Sequence, residues 1–179
     1  MRPLLALSNS IDWLNEKIGG VCNWLVLAAC VVSAGNAMIR YAFGYSSNAW
    51  LELQWYMFAV FVMFGASYTF KKNEHVRVEI LYLMLSERGQ LRLDLIGTLF
   101  FLIPSCLLLA YLSWPFFMQS YVVSEISSNA GGLVRWPIKA VVPVGFTFLA
   151  LQGVSEVIKR IAALKGYVMI DAKYERPLQ

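Results

Sequence analysis

The sequence predicts an all-α membrane protein: four transmembrane helices, an N-terminal amphipathic interfacial helix, and a surface helix between the second and third crossings. Three observations lead there. Of 179 residues, 59% are hydrophobic and only 15% are charged, for a mean hydropathy of +0.58, too apolar for a soluble fold that must cover its outside with polar groups. The apolar residues come in long blocks that no single small core can hide. The basic residues, despite a formal net charge of +4, flank those blocks instead of forming a patch with interleaved aromatics, which excludes nucleic acid as a partner.

The elements follow in order within a single four-helix membrane domain, 1–179. Over 1–17, Leu4, Leu7, Ile11, Leu14 and Ile18 fall on one helical stripe. Ser8, Asn9, Ser10 and Asp12 interrupt any signal-peptide core, so the segment is expected to stay on the protein as an interfacial helix with lipid as its partner. No charge occurs from Ile18 to Ile39, enough to span the hydrocarbon layer of roughly 30 Å; the first crossing is placed at 18–41. Within it Ala29, Ser33 and Ala37 form a helix-packing strip, and the amides of Asn23 and Asn36 are expected to hydrogen-bond a neighbouring helix.

A short connector through Gly44, Ser46 and Asn48 leads to the second crossing, 50–70, with Tyr41, Trp50, Trp55 and Tyr56 at headgroup level. Val76, Ile80, Leu83 and Met84 keep helical spacing in the charged stretch that follows, which predicts a surface helix at 73–85. The third crossing is placed at 92–117, with kinks or an early exit at Pro104 and Pro115. A loop rich in Ser, Asn and Gly precedes the fourth crossing at 138–160, where Lys139 and Lys159 are expected to snorkel to opposite interfaces; a tail occupies 167–179.

Of the fifteen Lys and Arg, only Arg40, Arg135 and Lys139 fall on the side of the two short connectors. The positive-inside rule therefore places both termini in the cytoplasm.

Chemistry-bearing constellations are sparse. Glu52 and Arg40 are the charges nearest the connector ends of the first two crossings, and their spacing suggests a structural ion pair; a proton or cation site at Glu52 is the functional alternative. Cys22, Cys30 and Cys106 lie in apolar segments without a CxxC pair. The one histidine, His75, sits outside the crossings, which removes the two axial ligands of a membrane haem. No metal-ligand spacing, nucleophile motif or phosphate loop supports an enzyme or a cofactor.

The ordered run Arg40, Tyr41, Phe43, Gly44, Trp50, Glu52 and Tyr56, then Phe64, Gly65, Ala66, His75, Val76, Arg77, Val78 and Glu79, resembles the small, Q-type (DctQ-like) membrane subunit of tripartite ATP-independent periplasmic (TRAP) transporters. The segment from Asn129 to Leu133 and the run Trp136, Pro137, Ile138 and Lys139 look like the branch labelled for mannitol or chloroaromatic compounds. The resemblance implies a bacterial inner-membrane subunit that scaffolds a large M-type subunit in sodium-coupled uptake of an organic acid. It also implies a transient partner, a periplasmic binding protein, for which the outward connectors offer Gly44, Ser46, Asn48, Ser128, Asn129, Gly131 and Arg135. A self-contained four-helix multidrug-type exporter is the rival, but such proteins carry an acid in the first crossing, and this one has none there.

Overall fold

The computed structural model describes residues 1–74, 82 and 84–167. The expected surface helix at 73–85, with His75 and the motif residues around it, falls largely outside the described residues, as does the tail at 167–179 beyond Tyr167. Among the described residues, four helices are long and apolar enough to cross a membrane: α1 (Arg2–Phe43), α2 (Asn48–Lys72), α3 (Glu87–Val122) and α4 (Trp136–Leu164). They run alternately up and down, so two short connectors share one end, here the hairpin end. The N-terminus, Lys72, Glu87 and Leu164 share the other, the terminal end.

α1 is one unbroken helix of 42 residues, about 63 Å long, where the sequence suggested an interfacial helix at 1–17 and a separate crossing. No proline lies at the junction, and the Gly19–Gly20 pair there stays within the helix, so the backbone ladder runs on without a break. The helix ends at Gly44, whose φ of 64° is the left-handed cap that glycine adopts without penalty, and its N–H returns to the Arg40 carbonyl. α2 ends likewise on Asn73 at φ 62°. α3 starts on Ser86, whose Oγ accepts from the Gly89 N–H at 3.4 Å.

Pro104 leaves its mark on α3 without ending it. The five residues Thr98–Leu102 just before it form a π turn, and the Ile103 N–H reaches the Thr98 carbonyl five residues back. This widening absorbs the misfit of a ring that has no N–H to give. Pro115 lies inside the helix, which runs on to Val122, so the early exit near Phe117 is replaced by a longer rod.

Glycines set how closely the helices approach. A Cβ at Gly19 on α1 would strike the Tyr68 ring of α2. One at Gly145 on α4 would come within 2.8 Å of Met63 Cβ, and one at Gly153 within 2.9 Å of Leu102 and Ile103 at the π turn. In lipid, where tails are as apolar as leucine, such backbone-to-side-chain contact drives association. The strip expected for this, Ala29, Ser33 and Ala37, does not do it within the chain: Ala29 is half-buried, and Ser33 and Ala37 are exposed.

Candidate functional site

Polar side chains gather in two layers. The rise from Glu52 to Lys71 along α2 is about 28 Å, and from Lys139 to Glu156 along α4 about 25 Å, close to the thickness of a hydrocarbon core.

At the terminal end, the polar edge of α1 meets α4. Ser8, Asp12 and Asn15 recur at helical spacing on one helix, and Gln152, Ser155, Glu156, Lys159 and Arg160 on the other. Asp12 Oδ1 accepts from Ser155 Oγ at 2.7 Å and Gln152 Nε2 at 3.0 Å, and Oδ2 faces Lys159 Nζ at 2.9 Å. With the Ser155 proton committed to Asp12, the Ser8 hydroxyl is the donor in the 2.7 Å Ser8–Ser155 contact. Gln152, with no exposed surface, places its amide nitrogen between Asp12 and Glu156, at 3.2 Å from the latter, and its oxygen accepts from Asn15 Nδ2 at 2.8 Å. Two flanking carboxylates fix that orientation, because the flipped amide would set oxygen against oxygen. Glu156 also pairs with Lys159 and with Arg160 at 2.5 Å, and Arg160 reaches Asp94 on α3 at 3.2 Å. Lys71 of α2 joins by donating to the Asp12 carbonyl at 3.0 Å and pairing with Glu16. All four helices are thus tied at one level.

Leu4, Leu7 and Leu14 are exposed, and the polar edge is inside. Lys159 does not snorkel free but holds Asp12 and Glu156. Periodicity alone carries the missing signal, since Gln152, Ser155, Glu156 and Lys159 make a polar stripe on an apolar helix and Ser8, Asp12 and Asn15 make its complement.

At the hairpin end, the loop between α3 and α4 folds into a small hairpin with an isolated bridge between Ile126 and Val134. Ser127 N–H donates to the Leu133 carbonyl at 3.0 Å and Arg135 N–H to that of Glu125 at 2.8 Å; Gly131 makes the turn with φ 68°. Glu52, only 3% exposed, clasps this hairpin by accepting from Ser127 Oγ, from Asn129 Nδ2 at 2.8 Å and from the Leu133 N–H at 2.7 Å. A Cβ at Gly132 would lie 2.9 Å from its Oε2. The expected Arg40–Glu52 ion pair is therefore not formed: nearer donors from the hairpin engage both carboxylate oxygens, and Arg40 has no ion-pair partner among the described residues.

The connector residues singled out earlier come together here. Asn48 Nδ2 donates to the Ala130 carbonyl at 3.0 Å, and Tyr56 Oη to that of Val134 at 3.1 Å, so the hairpin rests on the start of α2. Asn129 is turned toward Glu52, Arg135 lies 3.9 Å from Glu125, and Gly44, Ser46, Ser128 and Gly131 are exposed. Lys139 pairs with Glu125 and sits 4.2 Å over the Phe116 ring; its ammonium holds the Glu125 carboxyl below the usual carboxylate range. Asn23 and Asn36 hydrogen-bond no neighbouring helix within the described residues; Asn23 is exposed, and Asn36 lines a groove between α1 and α2. Among the described residues, no group of three His, Cys, Asp or Glu is placed to hold a metal.

One comparison with known proteins bears on this architecture. The model of the family described as tripartite ATP-independent periplasmic transporters, DctQ component, matches residues 27–163, most of the chain. No curated protein and no solved structure matches it.

Proposed function

The chain belongs to the DctQ component family of tripartite ATP-independent periplasmic transporters, and from that premise we propose that this small permease subunit is a fixed scaffold for a large M-type subunit. The transport reaction in this reading is sodium-coupled uptake of an organic acid, with solute and sodium handled by the large subunit. This chain carries no cofactor and catalyses no reaction. A periplasmic binding protein delivers the solute at the hairpin end, where Gly44, Ser46, Asn48, Ser128, Asn129, Gly131 and Arg135 lie around one surface. The terminal end faces the cytoplasm, in line with the distribution of Lys and Arg.

The observation that carries the scaffold role is the layer around Asp12, Gln152 and Glu156, where all four helices are joined by hydrogen bonds and ion pairs. A subunit that must stay still while its neighbour moves needs such a tie, because close packing alone lets helices slide. Between the two polar layers, glycine contacts at Gly19, Gly145 and Gly153 close the helices on one another, which favours a brace over a solute path. The exposed Leu4, Leu7 and Leu14 suit an α1 start whose outer face meets lipid.

Distance measurements between spin labels on exposed positions of α1 and α4, made in the complex with and without sodium and solute, test the role. A scaffold keeps one narrow distance distribution under both conditions. A shift of several ångströms that follows the solute would assign the motion to this chain and refute the proposal.

A further inference from the structure

Between α1 and α2, on the hairpin side of the crossings, a groove of about 520 Å³ opens to the outside of the bundle. Its walls include Ser33, Asn36, Ala37 and Arg40 from α1 and Leu51 and Gln54 from α2. In the terminal layer polar groups are turned inward and paired, as Gln152 and Ser155 are. Here they are not. Ser33, Asn36, Arg40 and Gln54 make no side-chain hydrogen bond or ion pair among the described residues, and Glu52, the nearest acid along α2, is fully taken by the hairpin.

We propose that this groove seats a helix of the large subunit, and that the helix presents small residues to Ser33 and Ala37 and a carboxylate to Arg40. The inference rests on the scaffold reading above and names the surface through which the scaffold holds its partner. Charge complementarity selects an acidic partner, because Arg40 is a fork of N–H donors with nothing to donate to. Depth selects protein over lipid. From Arg40 to Ser33 the groove descends about 10 Å along α1, below headgroup level, where acyl chains offer no hydrogen bond to Ser33 or Asn36 but another helix does. Ala29, Ser33 and Ala37, at intervals of four, then act as the packing strip that the sequence promised, toward a second chain instead of within this one.

Co-purification from membranes expressing both subunits provides the test, with the tag on this chain. Wild type must recover the large subunit; if it does not, the partnership itself fails and the groove with it. Given recovery, Arg40→Glu and Ala37→Trp each lower it roughly tenfold or more, Arg40→Lys stays within about twofold, and Leu112→Trp on the exposed side of α3 leaves it unchanged. Undiminished recovery with Arg40→Glu and Ala37→Trp overturns the groove and leaves the partnership standing. Ser33→p-benzoylphenylalanine in an otherwise unaltered chain decides the matter even where a variant is lost from the membrane. An adduct at the summed mass of the two subunits supports the proposal, whereas labelling of phospholipid alone assigns the groove to lipid and overturns it.

Discussion

The two polar layers solve the same problem by different means. At the terminal end, Asp12, Gln152, Glu156 and Arg160 stand on long helices, and the donors of Gln152 and Arg160 are shared between Glu156 on their own helix and acceptors on α1 and α3. At the hairpin end, one helical carboxylate, Glu52, gathers three donors from a loop of little regular structure. The first layer fixes helices to each other. The second fixes a loop to a helix, and that loop is the part a docking protein would meet. Rigidity is thus concentrated where the frame must hold, and the adaptable surface hangs mainly from one carboxylate, with single hydrogen bonds from Asn48 and Tyr56 beside it.

The largest effect expected from breaking this contrast lies in the terminal layer. Arg160→Ala leaves Glu156 and Asp94 without their shared cation, and a buried pair broken on one side costs about 3–5 kcal/mol. Unfolding of the purified protein by denaturing detergent would register it, with Arg160→Lys recovering part. Packing comes next: Gly145→Leu forces a side chain against Met63 and should cost about 1–3 kcal/mol in the same assay. A variant as stable as wild type would mean that α2 and α4 are not held at this contact.

At the hairpin end the changes are local. Glu52→Gln offers one acceptor where three donors converge and adds an amide that has none to meet, so protease cleavage between Glu125 and Arg135 should rise about tenfold while the helices keep their stability. Equal sensitivity of loop and helices would erase the contrast. Acid acts through Glu125, whose folded carboxyl titrates below its unfolded value because of Lys139. Its contribution is complete above the ordinary carboxylate range near pH 4.3 and is lost as pH falls through the lowered folded value. Cleavage of the hairpin should therefore be flat from pH 5 to 8 and rise only at lower pH, with that acid limb reduced in Glu125→Gln and the remainder belonging to protonation of Glu52. The smallest effect is Ser8→Ala, which removes one donor from the Ser155 relay and costs about 0.6 kcal/mol, the usual scale of a hydrogen bond between helices in lipid.

The four crossings were legible because bilayer thickness sets their length, and a charge-free block from Ile18 to Ile39 or Leu53 to Phe70 has few other uses. Gly44 marked the end of α1 as plainly. Less legible was the partner of the polar edge at the start of α1. In lipid the outside is apolar too, so Leu4, Leu7 and Leu14 face out and Ser8, Asp12 and Asn15 face in. Glu52 was singled out as one half of an ion pair with Arg40. Its partners lie more than seventy residues away in the hairpin, a closure that proximity in sequence to Arg40 did not reveal. Ser33 and Ala37 carried a packing signal that the chain itself does not use.

Transport by reconstituted vesicles tests the central claim most directly. Three preparations are needed: this chain alone, the large subunit alone, and the two together, each given a sodium gradient, the binding protein and the radiolabelled acid that it carries. A brace without a reaction of its own gives accumulation only in the paired vesicles. Accumulation by vesicles that hold this chain and no large subunit would contradict the account outright.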